Sequence, residues 1–209
     1  MVFLVSRDMD TAVALVQSYL YMNGFFTVTE YPVWETMDDG EIRTVTDVDM
    51  LAVRFPGAGR VDPSDHERQG VVRPDPALDV DPDRIELIIA EVKEGRAELN
   101  QAARSREVLH AALHRFGYVA EDEADELMAQ LLAGGEAIHP NGVRVRLMSF
   151  GSRPPHESSP AHQWLLMGQI VTYIRKALTE NWFAARALQS KDPVISQMIL
   201  VEKAIRGET

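Results

Sequence analysis

Residues Arg84 to Lys93 constrain the fold more than any other stretch. They contain Ile85-Glu-Leu-Ile-Ile-Ala90, almost continuously apolar and rich in β-branched side chains. A run of this length without alternation reads as a central strand covered on both faces. Such a strand needs partners on its edges and helices above and below, which points to a layered α/β architecture. The chain has 209 residues, 45% hydrophobic and 25% charged, so a single domain spanning 1–209 is expected to enclose that strand. Cysteine is absent. Disulfide frameworks, zinc ribbons, iron–sulfur centres and thiol nucleophiles therefore drop out, and a reducing, cytoplasmic setting is the expectation. The apolar start, Met1 to Val5, is too short for a signal peptide. No run approaches the roughly 18 apolar residues of a membrane span.

Around the central strand the pattern is helix, strands, helices, strand, helices. Ala12 to Met22 is apolar-periodic, with Asp8 and Asp10 before it and Asn23-Gly24 after it, which predicts a first helix. Phe25 to Trp34 reads as a strand that Pro32 places at an edge. Thr44 to Phe55 alternates, with Asp47, Asp49, Leu51 and Val53 on one face. Residues 56–83, rich in proline and acids, read as a long loop in which Asp79, Asp81 and Asp83 are solvated. Helices follow over Glu98 to Phe116 and Glu121 to Ala133. Val143 to Phe150 forms a fourth strand with Arg144 and Arg146 on one face. A long helix is expected from Ala161 to Leu188, bent or broken near Asn181. The last helix, 192–207, opens with Asp192 as its cap and Pro193 in its first turn. These elements amount to an αβ sandwich around a small mixed sheet.

The net charge is −11, but half of the 32 acids lie in three segments: Glu35 to Glu41, Asp62 to Asp83 and Glu121 to Glu126. Arginine outnumbers lysine 17 to 4. Arg96, Arg104, Arg106, Arg144, Arg146, Arg153 and Arg175 leave room for a local basic surface, so a polyanionic partner is permitted. Scattered, solvated arginines are the plainer alternative.

Chemistry concentrates at the C-terminal end of the central strand. Leu87, Ile89, Glu91 and Lys93 share a face, so an apolar stripe ends in an acid and an amine. Unpaired buried charge costs several kcal/mol, which argues that this pair serves something other than stability. If Asp49 lies across from them, two carboxylates and one ammonium converge. That donor set suits Mg²⁺ or Mn²⁺, which prefer hard oxygen ligands. A surface salt bridge at a strand end, Glu91 with Lys93 or Arg43, is the alternative for a bare Glu-x-Lys. His110 and His114 lack the further ligands of a metal site and read as exposed helix residues.

At Thr46-Asp-Val-Asp49-Met-Leu-Ala and Ile88-Ile-Ala-Glu91-Val-Lys93-Glu-Gly95 the chain resembles the PD-(D/E)xK nuclease superfamily, with its restriction-endonuclease-like fold. The likeness in element order extends from residue 8 to about 180. It implies that Asp49 and Glu91 bind the metal, with the main-chain carbonyl of Val92 as a further ligand, and that Lys93 positions the attacking water. Asp47 competes with Asp49 for the first acid. Gln169 and Tyr173 resemble the QxxxY element of some members. The first helix carries Gln17 at its centre where many members have an acid; Glu30 or Glu35 is a substitute.

The expected function is metal-dependent phosphodiester hydrolysis, with DNA preferred over RNA as substrate. The alternative is a catalytically inactive binding or assembly subunit on the same fold, and a third reading is a small-molecule metallohydrolase. Val194, Ile195, Met198, Ile199 and Leu200 form an apolar stripe that suits either a homodimer or packing within the chain.

Overall fold

A computed structural model describes residues 10–37, 39–58, 73–117, 123–156, 161–187 and 190–208. Its elements are α1 (Thr11–Met22), β1 (Phe26–Thr36), β2 (Ile42–Arg54), β3 (Glu86–Arg96), α2 (Arg106–Phe116), α3 (Ala124–Gly134), β4 (Glu136–Ile138), β5 (Arg144–Arg153), β6 (Gln163–Leu166), α4 (Met167–Glu180), α5 (Trp182–Ala187) and α6 (Pro193–Arg206). The strands form one mixed, open sheet in the order β1-β2-β3-β5-β4, with β6 joining β5 beyond β4. The β3–β5 and β5–β6 pairs are parallel and the other pairs antiparallel.

β3 occupies the centre because its side chains are apolar on both faces. Ile88 and Ala90 pack with α1, α4 and α6, whereas Leu87 and Ile89 pack with α2 and α3. The helix ends follow local chemistry. Asp10 caps α1 by accepting from the Ala12 amide at 2.7 Å, and Asp192 caps α6 by accepting from Ile195 at 2.9 Å. β1 is an edge strand, which accommodates Pro32. Among the described residues no helix is long and apolar enough to cross a membrane.

Two expectations need correction. The helix over residues 161–188 begins late: Gln163–Leu166 is a strand, because the C-terminal half of β5 presents an open edge to Trp164 and Leu165. The break at Asn181 is present, between α4 and α5. The helix from Glu98 starts only at Arg106; residues 97–105 instead cross back over the sheet. The segment 73–83 is pinned at Leu78, which is fully buried, while Asp79 and Asp83 are exposed as expected; Asp79 accepts from Arg144 at 3.1 Å and Asp81 from Arg84 at 2.9 Å. Residues 59–72 of the expected loop lie outside the described residues, as do Asp8, Glu121 and Leu188.

Arg144 and Arg146 are likewise not a basic surface. Arg146 is 1% exposed. It pairs with the buried Glu86 and donates to the Leu78 carbonyl and Gln163 Oε1, each at 2.7 Å. Arg144 adds a contact to Glu86 at 3.4 Å. These arginines fasten the N-terminal end of β3 to its neighbours. Removing one partner of such a buried pair strands the other charge, so Glu86→Ala is expected to cost about 3–5 kcal/mol. Urea denaturation reads this directly, and a change below about 0.5 kcal/mol, the scale of ordinary surface substitutions, would show that the pair does not hold the sheet.

Candidate active site

The site forms where β2 and β3 part. Their ladder ends at the Met50–Ala90 pair, and one step further the Asp49 carboxylate takes the place of a strand acceptor. Its Oδ2 accepts from the Val92 amide at 2.7 Å. Val92 therefore engages Asp49 through its N–H. β3 continues beside β5, with Glu91 opposite Ser149 and Lys93 opposite Gly151.

Glu91 is 7% exposed. Its Oε1 accepts from Asn100 Nδ2 at 2.6 Å and lies 3.7 Å from Lys93 Nζ. Asn100 is held in turn, its Oδ1 accepting from the Ala103 amide at 2.6 Å. Gly151 makes this arrangement possible. The chain leaving β3 folds across it so closely that a Cβ there would sit 2.4 Å from the Ala97 nitrogen. That crossing brings Asn100 over Glu91.

The electrostatics follow from this crowding. Burial pushes the Glu91 carboxyl up to about 7, and the Asp49 charge adds to the rise; Lys93 and Asn100 oppose it. Asp49 is also raised by burial, against the Val92 amide, with Asp10 and Asp47 pushing further and Lys93 opposing. Asp10 and Asp47 thus act on Asp49, and Asp49 on Glu91, with Lys93 opposing at both carboxylates. Two neighbouring carboxylates that are poorly hydrated favour either a shared proton or a cation between them.

The structure brings Asp49, Glu91 and Lys93 together as the sequence pattern predicts, and places Asp47 within electrostatic reach. It corrects the shared face of residues 47 to 53. Val48 is buried with α2 and α3 but Met50 with α1 and α4, so the alternation of β2 breaks at Asp49. Opposite the break, Glu30 falls between the Thr29–Met50 and Tyr31–Val48 pairs and has φ +52°. A glutamate in the left-handed region carries a strain of order 1 kcal/mol. The break frees the Asp49 side chain to reach the Val92 backbone. Glu35 is paired with Arg43 at 3.4 Å, and Gln17 with Thr27 at 3.2 Å.

Gln169 and Tyr173 lie elsewhere. They line a cleft of about 1000 Å³ beside α4, with Arg73, Asp75 and Lys176, that none of Asp49, Glu91 or Lys93 lines. Gln169 Oε1 accepts from the Leu166 amide at 2.9 Å, and the Tyr173 hydroxyl donates to the Arg73 carbonyl at 2.8 Å. Both have structural roles there. His110 and His114 stack on each other with ring centroids 6.5 Å apart, exposed on α2. Among the described residues there is no group of three or more His, Cys, Asp and Glu side chains that could hold a metal ion. The donors at hand are two carboxylates.

Comparison of the chain with protein-family models, curated proteins and solved structures finds no match.

Asn100 is the contact that sequence pattern did not reveal. It sits seven residues beyond Lys93 in a polar stretch, and only the close crossing at Gly151 gives it a role. Asp10 is a helix cap by sequence; its influence on Asp49 depends on how α1 packs across β2.

Proposed function

We propose that this chain is a divalent-cation-dependent nuclease of the PD-(D/E)xK type, on a restriction-endonuclease-like fold, hydrolysing phosphodiester bonds in DNA. One observation carries the reading: a strand buried on both faces ends in a poorly hydrated acid pair with a lysine at 3.7 Å, at the point where the sheet opens. The donor chemistry fits a hydrated hard cation, since Mg²⁺ is commonly held by one or two carboxylates with waters filling the remaining positions. Asp49 and Glu91 would hold it, and when bound it would polarise a phosphoryl oxygen and stabilise the leaving oxygen.

The chain's own groups have separable tasks. The Val92 amide orients Asp49, and Asn100 orients Glu91, so neither carboxylate needs to reorganise on binding. Lys93, half-buried beside Glu91, positions the attacking water and counters charge growing on the phosphate.

The test is cleavage of plasmid and linear DNA with Mg²⁺ or Mn²⁺. Lys93→Ala and Asp49→Ala are each expected to lower the rate by about 10²-fold or more. Equal cleavage by all three proteins would remove this assignment.

A second reading, a binding or assembly subunit that keeps the fold, is favoured by the absence of a third acidic or imidazole ligand among the described residues. It predicts a folded protein that neither cleaves DNA nor binds Mn²⁺. Activity on a nitrophenyl phosphodiester without activity on DNA would instead favour a small-molecule hydrolase.

A further inference from the structure

Polar groups continue beyond Glu91 onto β5 and the start of β6. Ser149, opposite Glu91 in the β3–β5 register, is fully buried, and its Oγ lies 2.9 Å from Nε2 of the buried His162. On the other side of that ring, Arg104 Nη2 lies 3.3 Å from Nδ1. A guanidinium can only donate, so Nδ1 accepts and Nε2 carries the proton that it donates to Ser149. Ser149 has no surface from which its hydroxyl could attack a substrate. The array is therefore a support, and what it supports is the exposed guanidinium of Arg104.

Arg104 sits in a cleft of about 470 Å³, lined also by Glu98, Asn100, Gln101, His156 and His162. Glu98 is engaged by His156, accepting from its amide at 2.6 Å and lying 2.7 Å from its Nδ1. Among the described residues no carboxylate lies within ion-pair distance of Arg104. Asn100 belongs to both places: it lines this cleft and donates to Glu91. The cleft thus opens beside the acid pair, with an arginine whose planar fork matches two phosphate oxygens.

We infer that this cleft is a phosphate subsite, in which Arg104 binds a phosphate of the DNA strand next to the bond being cleaved while His162 and Ser149 hold the guanidinium in position. The inference deepens the nuclease reading and rests on it for the identity of the ligand. A phosphate held at Arg104 would fix the strand's register, so that the neighbouring phosphodiester meets Asp49, Glu91 and Lys93. Arg104 is thereby a binding residue, and His162 and Ser149 are positioning residues.

Two measurements test this. Inorganic phosphate and a short oligodeoxynucleotide are titrated, without divalent ion, into wild type and Arg104→Ala, following the imidazole NMR resonances of His156 and His162. Both ligands are expected to shift these resonances in wild type, and Arg104→Ala to weaken binding about tenfold or more. In the cleavage assay Arg104→Ala should raise KM about tenfold with kcat within about threefold, and Ser149→Ala should fall between the two, with Arg104→Lys recovering only part of the loss. Unchanged phosphate and oligonucleotide binding in Arg104→Ala would overturn the subsite, even if wild type cleaves DNA normally. Binding of inorganic phosphate without the oligonucleotide would overturn its assignment to a DNA strand. If wild type proves inactive, the nuclease reading falls while the titration still decides the subsite.

Discussion

Glu91→Gln is expected to lower DNA cleavage by about 10³-fold, since the cation that it would help hold is worth several kcal/mol of transition-state stabilisation, and to make the cation-free protein more stable at pH 8 than wild type. The two effects have one cause. Burial and the Asp49 charge push the Glu91 carboxyl up to about 7, whereas in the unfolded chain it titrates near 4.3. Between those values the folded protein holds a proton that the unfolded chain has released. Stability therefore falls as pH rises through that window and levels off above about 7. A shift of this size corresponds to roughly 3–4 kcal/mol for a nearly buried group, part of which the variant forfeits with the Lys93 contact. Glutamine keeps the acceptor for Asn100 and cannot ionise. The variant should thus gain about 2 kcal/mol over wild type at pH 8 and little or nothing at pH 4.5. Urea denaturation in chelator at both values checks it. The same difference at both, or no gain at pH 8, would mean that Glu91 is not held as an ion against its preference.

A side chain that destabilises its own fold at neutral pH argues for a role outside folding. The contrast with Glu86 makes the point within one strand. Both glutamates are buried on β3. Glu86 is met by two arginines, Arg144 and Arg146, and stabilises the sheet at its N-terminal end. Glu91 meets one lysine at 3.7 Å and a second acid. The strand is fastened at one end and carries only partly compensated negative charge at the other.

These two ends were not equally legible in the sequence. Ile85 to Ala90 announces a strand buried on both faces, and the acid before it with Glu91-Val92-Lys93 at its end marks the chemistry. Alternation misled for Arg144 and Arg146, because arginines two apart on a strand look like a solvated face; Glu86, inside the apolar run, was the available sign that they had a buried partner. Alternation misled again at Asp49, where the left-handed Glu30 breaks the ladder, a conformation that no local residue preference predicts for glutamate. Gln163–Leu166 is too short to show a two-residue period, and its apolar residues merge with the helix that follows. Asn100, Ser149, His162 and Arg104 come together only through tertiary crossings, above all the approach of the 97–105 segment over Gly151.

Affinity for Mn²⁺ should depend steeply on pH, and this separates a cation site from a mere strained acid. A carboxylate must lose its proton to bind the ion. With the Glu91 carboxyl near 7, lowering the pH from 8 to 5 leaves only about one molecule in a hundred with that group ionised, by the ordinary titration law. The apparent affinity should therefore fall about 100-fold over this range, and by more where Asp49, itself raised, begins to protonate. Near pH 6 most molecules hold the Glu91 proton, so binding should release close to one proton per ion, whereas at pH 8 the release should be small. Calorimetric titrations in two buffers of different ionisation enthalpy count those protons. In Glu91→Gln the steep part of the dependence should vanish along with most of the affinity, leaving only the weaker contribution of Asp49. A wild-type affinity that stays level from pH 8 to pH 5 would place the ion away from Glu91, since no ligand at that carboxylate can avoid competing with its proton.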